Sequence, residues 1–167
     1  MARIPGSVVT MEMSVTREIA RPADEVFDYL ADVSNNPSWQ KGMQSCEWTS
    51  EPPIGGGSTY SQLARFMGKN IKSSFVVTEF EPGRRIAIKT VESTFPIQVV
   101  RRVEPTGPDS CRVSAQIGGG PDKGVAKLLA PIMARVAQKS VDGDYDRLVE
   151  LLESSSTSTP TENSPSE

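Results

Sequence analysis

The chain contains no histidine. That absence removes Ser-His and Cys-His nucleophile pairs, and with them the helix-borne histidine motif for zinc. It also removes the side chain best suited to proton transfer near neutral pH. Any chemistry falls to carboxylates, tyrosine, lysine, arginine or an external cofactor, and no metal or cofactor is expected. Cysteine is scarce: Cys46 and Cys111 are too few for a disulfide scaffold and suit a reduced, cytoplasmic compartment. Long apolar runs are missing, so neither a signal peptide in MARIPGSVVT nor an integral membrane segment is expected. Charge of one sign is missing too. The net charge of −3 is spread over interspersed acids and bases, without the basic face that nucleic acid requires.

With 167 residues the chain is long enough for one domain with a sizeable core. Residues 1–10 read as a flexible start. Residues 154–167, SSSTSTPTENSPSE, carry no large apolar side chain to offset their ordering entropy and read as a disordered tail. The folded domain is therefore expected over residues 11–153.

Within it, Met11, Met13, Val15 and Ile19 alternate with polar residues, as in a half-buried strand, although Arg17 interrupts the apolar face. Pro22, Asp24 and Glu25 open a short helix with Val26, Phe27 and Leu30 on one side. Asp32 to Trp39 is turn-rich and suits a second short helix or turn. Further strands are expected over residues 44–49, 58–67, 71–80, 84–91, 95–103 and 111–117, with turns at Pro82-Gly83 and Pro105 to Ser110. After Gly118 to Pro121 the period changes. Val125, Leu128, Leu129, Ile132, Met133 and Val136, then Val141, Tyr145, Leu148, Leu151 and Leu152, recur at helical spacing. Asp122 is the expected N-cap, and Pro131 is expected to kink the helix or delay its regular part. The order predicts an α+β fold: a curved antiparallel sheet of about seven strands around a long C-terminal helix.

These residues resemble the START-related, or SRPBCC, superfamily, which includes birch-pollen allergen relatives and the polyketide cyclase/dehydrase group. The likeness rests on Pro22-Ala23-Asp24-Glu25-Val26-Phe27, on Pro37 with Trp39, and on Ile54-Gly55-Gly56-Gly57-Ser58. Glu79-Phe80-Glu81-Pro82 and the helix ending at Leu148 to Leu152 extend it, so that it spans roughly residues 11–153. It implies a helix-grip with two short helices after the first strand, and a cavity for lipids, polyketides or other apolar ligands. It does not imply one reaction, because a fold hosts many functions.

Candidate lining residues follow from strand and helix faces. Tyr60, Gln62 and Phe66 share one face of their strand, and Phe75 and Val77 one face of the next. Ile88, Val99 and Val113 add apolar surface, with Met133 and Val136 facing them from the helix, and a packed core is the ordinary account of each. Trp39 either caps the entrance or fills the core. Arg101 and Arg102 have opposite parity, so one of them points inward, where it needs a carboxylate or an acidic ligand; Arg101 is in phase with Ile97 and Val99. Tyr60 is the candidate for polarising a carbonyl in a cyclisation or dehydration. Gly55 to Gly57 leads into a strand and reads as a hairpin turn, whereas Gly118 to Gly120 reads as a hinge at the cavity mouth. The leading expectation is a binding protein for a small hydrophobic molecule. A cyclase or dehydratase using the same cavity and a module for a protein partner are the alternatives.

Overall fold

The computed structural model describes residues 11–94, 96–120 and 128–155. The expected N-cap Asp122, Val125 of the helical pattern, Phe95, the start 1–10 and the tail from 156 onward lie outside the described residues. Seven antiparallel strands form one curled sheet: β1 (Met11–Ile19), β2 (Met43–Trp48), β3 (Thr59–Phe66), β4 (Lys69–Glu81), β5 (Arg85–Glu92), β6 (Ile97–Gly107) and β7 (Ser110–Gly119). Their spatial order is β1-β7-β6-β5-β4-β3-β2. All strands but the first therefore follow a simple meander, and β1 joins its far side beside β7. Helix α1 (Ala23–Ala31) and the single turn α2 (Asn36–Trp39) link β1 to β2 across the sheet, and α3 (Ala130–Ser154) closes the domain.

Local sequence explains the boundaries. Pro22 precedes α1, Asp24 and Glu25 occupy its first turn, and Val26, Phe27, Leu30 and Ala31 form its buried side. Gly83 takes φ +74° in the β4–β5 turn, a conformation glycine adopts without a Cβ clash. Pro131 sits in the first turn of α3, where its missing N–H breaks no intrahelical bond; Leu129 just before it is a turn residue and Leu128 is helical. Gly143 does not interrupt α3.

One expected turn is displaced. The β6 strand continues through Pro105 to Gly107, with Pro105 opposite Cys111 and a register shift just beyond. Ladder pairing of β6 with β5 ends at Arg102, so the missing N–H of Pro105 breaks no ladder on that side.

The core joins the inner sheet face to α1, α2 and the C-terminal half of α3, where Tyr145, Leu148 and Leu152 are buried beside Val77, Val103 and Val113. Arg17, the interruption in the apolar face of β1, reaches α3. Its Nε lies 2.7 Å from Asp146 Oδ1 and its Nη2 3.6 Å from Asp142 Oδ1. The same helix covers the free edge of β1. Gln138 accepts from Ser14 N at 3.3 Å and donates to Ser14 O at 3.0 Å, while Glu153 accepts from Ala20 N at 2.9 Å. Such side chains occupy backbone groups that an edge strand would otherwise offer to another chain. No helix among the described residues is long and apolar enough to cross a membrane.

Candidate functional site

The N-terminal half of α3 stands off the sheet where its inward residues are small. Ala137, Ser140 and Val141 face Gln62, Ala64 and Ser73 of β3 and β4 across a cavity of about 230 Å³. Met11 and Met13 of β1, Met43, Phe66, Ile71 and the Gly118–Gly120 segment complete this outer chamber. A second, inner chamber of about 150 Å³ lies beneath α2. Its walls are Asn36 and Trp39 of α2, Tyr60, Phe75, Ile88, Val99 and Arg101 of the sheet, and Tyr145 of α3. The two chambers share Gln40, Gln62, Ile97, Ile117, Val141 and Asp144 as common wall. Apolar surface with a few convergent polar groups is the usual make-up of a small-molecule site.

Aromatic packing fixes the inner chamber. Tyr60 stacks on Phe75 with ring centroids 5.0 Å apart and meets Trp48 edge-on at 5.6 Å. Trp39 meets Tyr145 edge-on at 5.1 Å, and the Arg101 guanidinium lies over the Trp39 ring at 5.2 Å. Arg147 donates from Nε to Trp39 O at 3.0 Å and so ties α2 to α3. Asn36 Nδ2 donates to Cys46 Sγ at 3.7 Å.

Burial dominates the electrostatics. It pushes the Tyr60 and Tyr145 hydroxyls well above their ordinary pKa, and the positive charge of Arg101 opposes the shift at both. The guanidinium approaches the Tyr145 hydroxyl without completing a hydrogen bond to it. Burial pushes the Cys46 thiol up to about 11, so this group is an inert, neutral thiol rather than a nucleophile. Burial also raises Asp144, against a hydrogen bond from Lys41 N at 3.0 Å and the adjacent Arg147. Asp32 outside the cavity shows the opposite balance: burial raises it, but hydrogen bonds from Ser34 and Trp48 outweigh that and hold it below the ordinary value.

The structure brings most of the sequence candidates together. Trp39, Tyr60, Gln62, Phe75, Ile88, Val99 and Arg101 line the inner chamber, and Phe66 lines the outer one, which Gln62 shares. Trp39 lies at the inner end and not at the mouth, with 1% of its surface exposed. Arg101 is the inward member of its pair, whereas Arg102 is half-buried opposite Arg85. Val77 and Val113 lie on the inward sheet face but belong to the packed core beyond the cavity. Met133 is half-buried and outside both walls, and Val136 is 45% exposed. The reason is that Ala130 and Ala137 carry the buried stripe in the first half of α3. Leu129 and Val136 lie roughly 100° around the helix from it, and Ile132 roughly 150°.

Residues not anticipated from the sequence include Asn36, Asp144 and Tyr145, together with Ile97, Ile117 and the methionines of β1. Ile97 and Ile117 have the strand parity of Val99 and Val113, and Tyr145 lies on the buried stripe. Parity and helical phase were therefore signals that pointed to all three.

Comparison with known proteins bears on the fold. The model of the family described as polyketide cyclase / dehydrase and lipid transport matches residues 10–153. No curated protein sequence matches the chain. Among solved structures, TTHA0849 from Thermus thermophilus is similar at 19% identity with a TM-score of 0.75, covering 89% of this chain and 99% of that one. The Zhui aromatase/cyclase from Streptomyces sp. R1128 is similar at 16% identity with a TM-score of 0.74, covering 85% and 93%. A START superfamily protein from Mycobacterium smegmatis is similar at 16% identity with a TM-score of 0.67, covering 86% and 95%.

Proposed function

The chain belongs to the polyketide cyclase / dehydrase and lipid transport family, and on that premise we propose that it binds a small hydrophobic or amphipathic molecule between α3 and the sheet. The observation that carries this reading is the pair of chambers that share a wall, lined chiefly by methionine, isoleucine, valine and aromatic side chains. Apolar burial contributes roughly 25 cal/mol per Å² removed from water, so a guest hiding about 200 Å² gains about 5 kcal/mol before association costs. Unbranched methionines adapt to differently shaped guests. Native mass spectrometry of the freshly purified full chain, followed by organic extraction, tests the reading. Recovery of a stoichiometric apolar compound is expected. An empty protein that shows no thermal shift with any apolar compound overturns it.

A cyclase or dehydratase is the second reading, supported by Tyr60 and Arg101 lining one chamber, a hydroxyl and a cation within reach of one guest. Turnover of a poly-β-keto substrate that Tyr60→Phe abolishes would favour it; binding without turnover would favour the carrier. A protein-partner module would instead co-purify with a second chain and carry no small molecule.

A further inference from the structure

The inner chamber holds a buried positive charge for which the described residues supply no counter-charge. Arg101 is 7% exposed, and its guanidinium donates through Nη1 to Leu30 O at a long 3.4 Å. It also lies over the face of Trp39 and near the Tyr145 hydroxyl, both uncharged. Among the described residues no carboxylate lies within ion-pair distance of it. The acid that does line the chamber, Asp144, is engaged by Arg147 and by Lys41 N. Isolated buried charges are strongly unfavourable, and buried polar groups are nearly always hydrogen-bonded.

The unpaired groups cluster here. Arg101 Nε, Trp39 Nε1, Tyr145 Oη and Asn36 Oδ1 are all buried without a hydrogen-bond partner, and all four belong to residues of the inner chamber. The fifth such atom among the described residues, Arg85 Nε, lies on a guanidinium already joined to Glu79 at 2.9 Å. Three of the clustered groups are donors, one of them cationic, and an anionic oxygen is the ligand atom that satisfies all three.

We infer that the cavity selects an amphipathic acid: a carboxylate seated against Arg101, Trp39 Nε1 and the Tyr145 hydroxyl, with its apolar body in the outer chamber among Met11, Met13, Met43, Phe66, Ile71 and Ala137. This rests on the binding reading above and adds the charge of the guest and its direction. The head lies deep under α2 and the tail lies toward the Gly118–Gly120 segment. A neutral guest of the same shape leaves the guanidinium without a counter-ion and binds by apolar burial alone.

The test is calorimetric titration of the full chain near neutral pH with matched pairs, decanoate against 1-decanol and 2-naphthoate against 2-naphthalenemethanol. In each pair that binds, the acid is expected to be tighter by about tenfold or more, the scale of one charge-assisted hydrogen bond. Arg101→Gln should abolish that preference by weakening the acid while leaving the alcohol within about threefold. Trp39→Phe and Tyr145→Phe keep an aromatic ring and delete one donor each. They should narrow the preference by a smaller factor, and they decide the matter if Arg101→Gln fails to fold. Equal binding of acid and alcohol, or a preference that survives Arg101→Gln, overturns the inference and leaves the apolar-cavity reading standing. Failure of acids and alcohols alike overturns both.

Discussion

Replacing Tyr145 with phenylalanine should stabilise the empty protein while weakening its grip on an acid, and the opposite signs make the substitution diagnostic. The ring is 2% exposed and packs edge-on against Trp39, contacts that phenylalanine retains. What disappears is one hydroxyl, buried without a hydrogen-bond partner beside the charge of Arg101. An unsatisfied buried polar group destabilises by about 1–3 kcal/mol, and the gap left by one oxygen returns a fraction of that, so a net gain of about 1–2 kcal/mol is expected. For a domain of this size that corresponds to a rise in Tm of roughly 3–6 °C. Urea unfolding of the ligand-free protein, followed by tryptophan fluorescence, should show a higher midpoint at unchanged m-value. A loss of about 1 kcal/mol or more would refute the reasoning. It would mean that the hydroxyl already has a partner, such as an ordered water, and that the cluster of unmet donors around Arg101 is smaller than the geometry indicates.

Two further predictions probe the frame of the cavity and its acid response. At Gly119, φ is +153° and an added Cβ would meet Pro96 O at 2.3 Å and Ile97 Cα at 3.0 Å, all rigid backbone. Gly119→Ala should therefore lose about 2–4 kcal/mol in urea unfolding, whereas Gly143→Ala, with open space around its Cβ in mid-helix, should gain about 0.5–1 kcal/mol. Asp32 has a lowered pKa, because hydrogen bonds from Ser34 and Trp48 outweigh its burial. Its contribution is present above the ordinary carboxylate range, about pH 4, and is lost as pH falls through the lower folded value. Asp32→Ala should be less stable than the parent at neutral pH and lose less on acidification below about pH 4, read from urea midpoints across pH.

The architecture was legible because its signals are periodic. Alternation in Met11 to Ile19 and the switch to helical spacing after the last strand name the elements, and turn residues such as Pro82-Gly83 separate them. Parity correctly assigned inward faces, Arg101 over Arg102 included. Depth along a strand is a different quantity. Phe75 and Val77 share the inward face of β4, yet the first touches the chamber and the second is sealed in the core. On β7, Ile117 and Val113 repeat the contrast. No local pattern encodes which inward residue lies opposite a gap, because the gap belongs to the partner element. For the same reason the large apolar residues Ile132 and Val136 drew attention on α3, although the helix approaches the sheet through Ala137 and Val141.

That last point also accounts for the cavity itself. Towards the C-terminal end of α3 the inward side chains are Leu148 and Leu152, which are packed in the core outside both chambers, while Tyr145 walls the inner chamber. One to two turns earlier they are Ala137, Ser140 and Val141, opposite Gln62, Ala64 and Ser73. A helix held at one end by large residues cannot collapse at the other to fill the shortfall, because its backbone moves as a rod. The short residues therefore leave space rather than drawing the helix in. Size grading along one helix face thus sets where a guest can sit, and it does so with ordinary apolar residues. The identity of the guest is constrained by something the grading does not explain: a guanidinium beneath α2 whose neighbours among the described residues are a backbone carbonyl, a tryptophan face and a tyrosine hydroxyl, none of them anionic. An apolar residue at 101 would pack there without desolvating a charge. An anion that spends part of its time against the guanidinium, as inferred above, supplies a physical rationale for the stability forgone at that position.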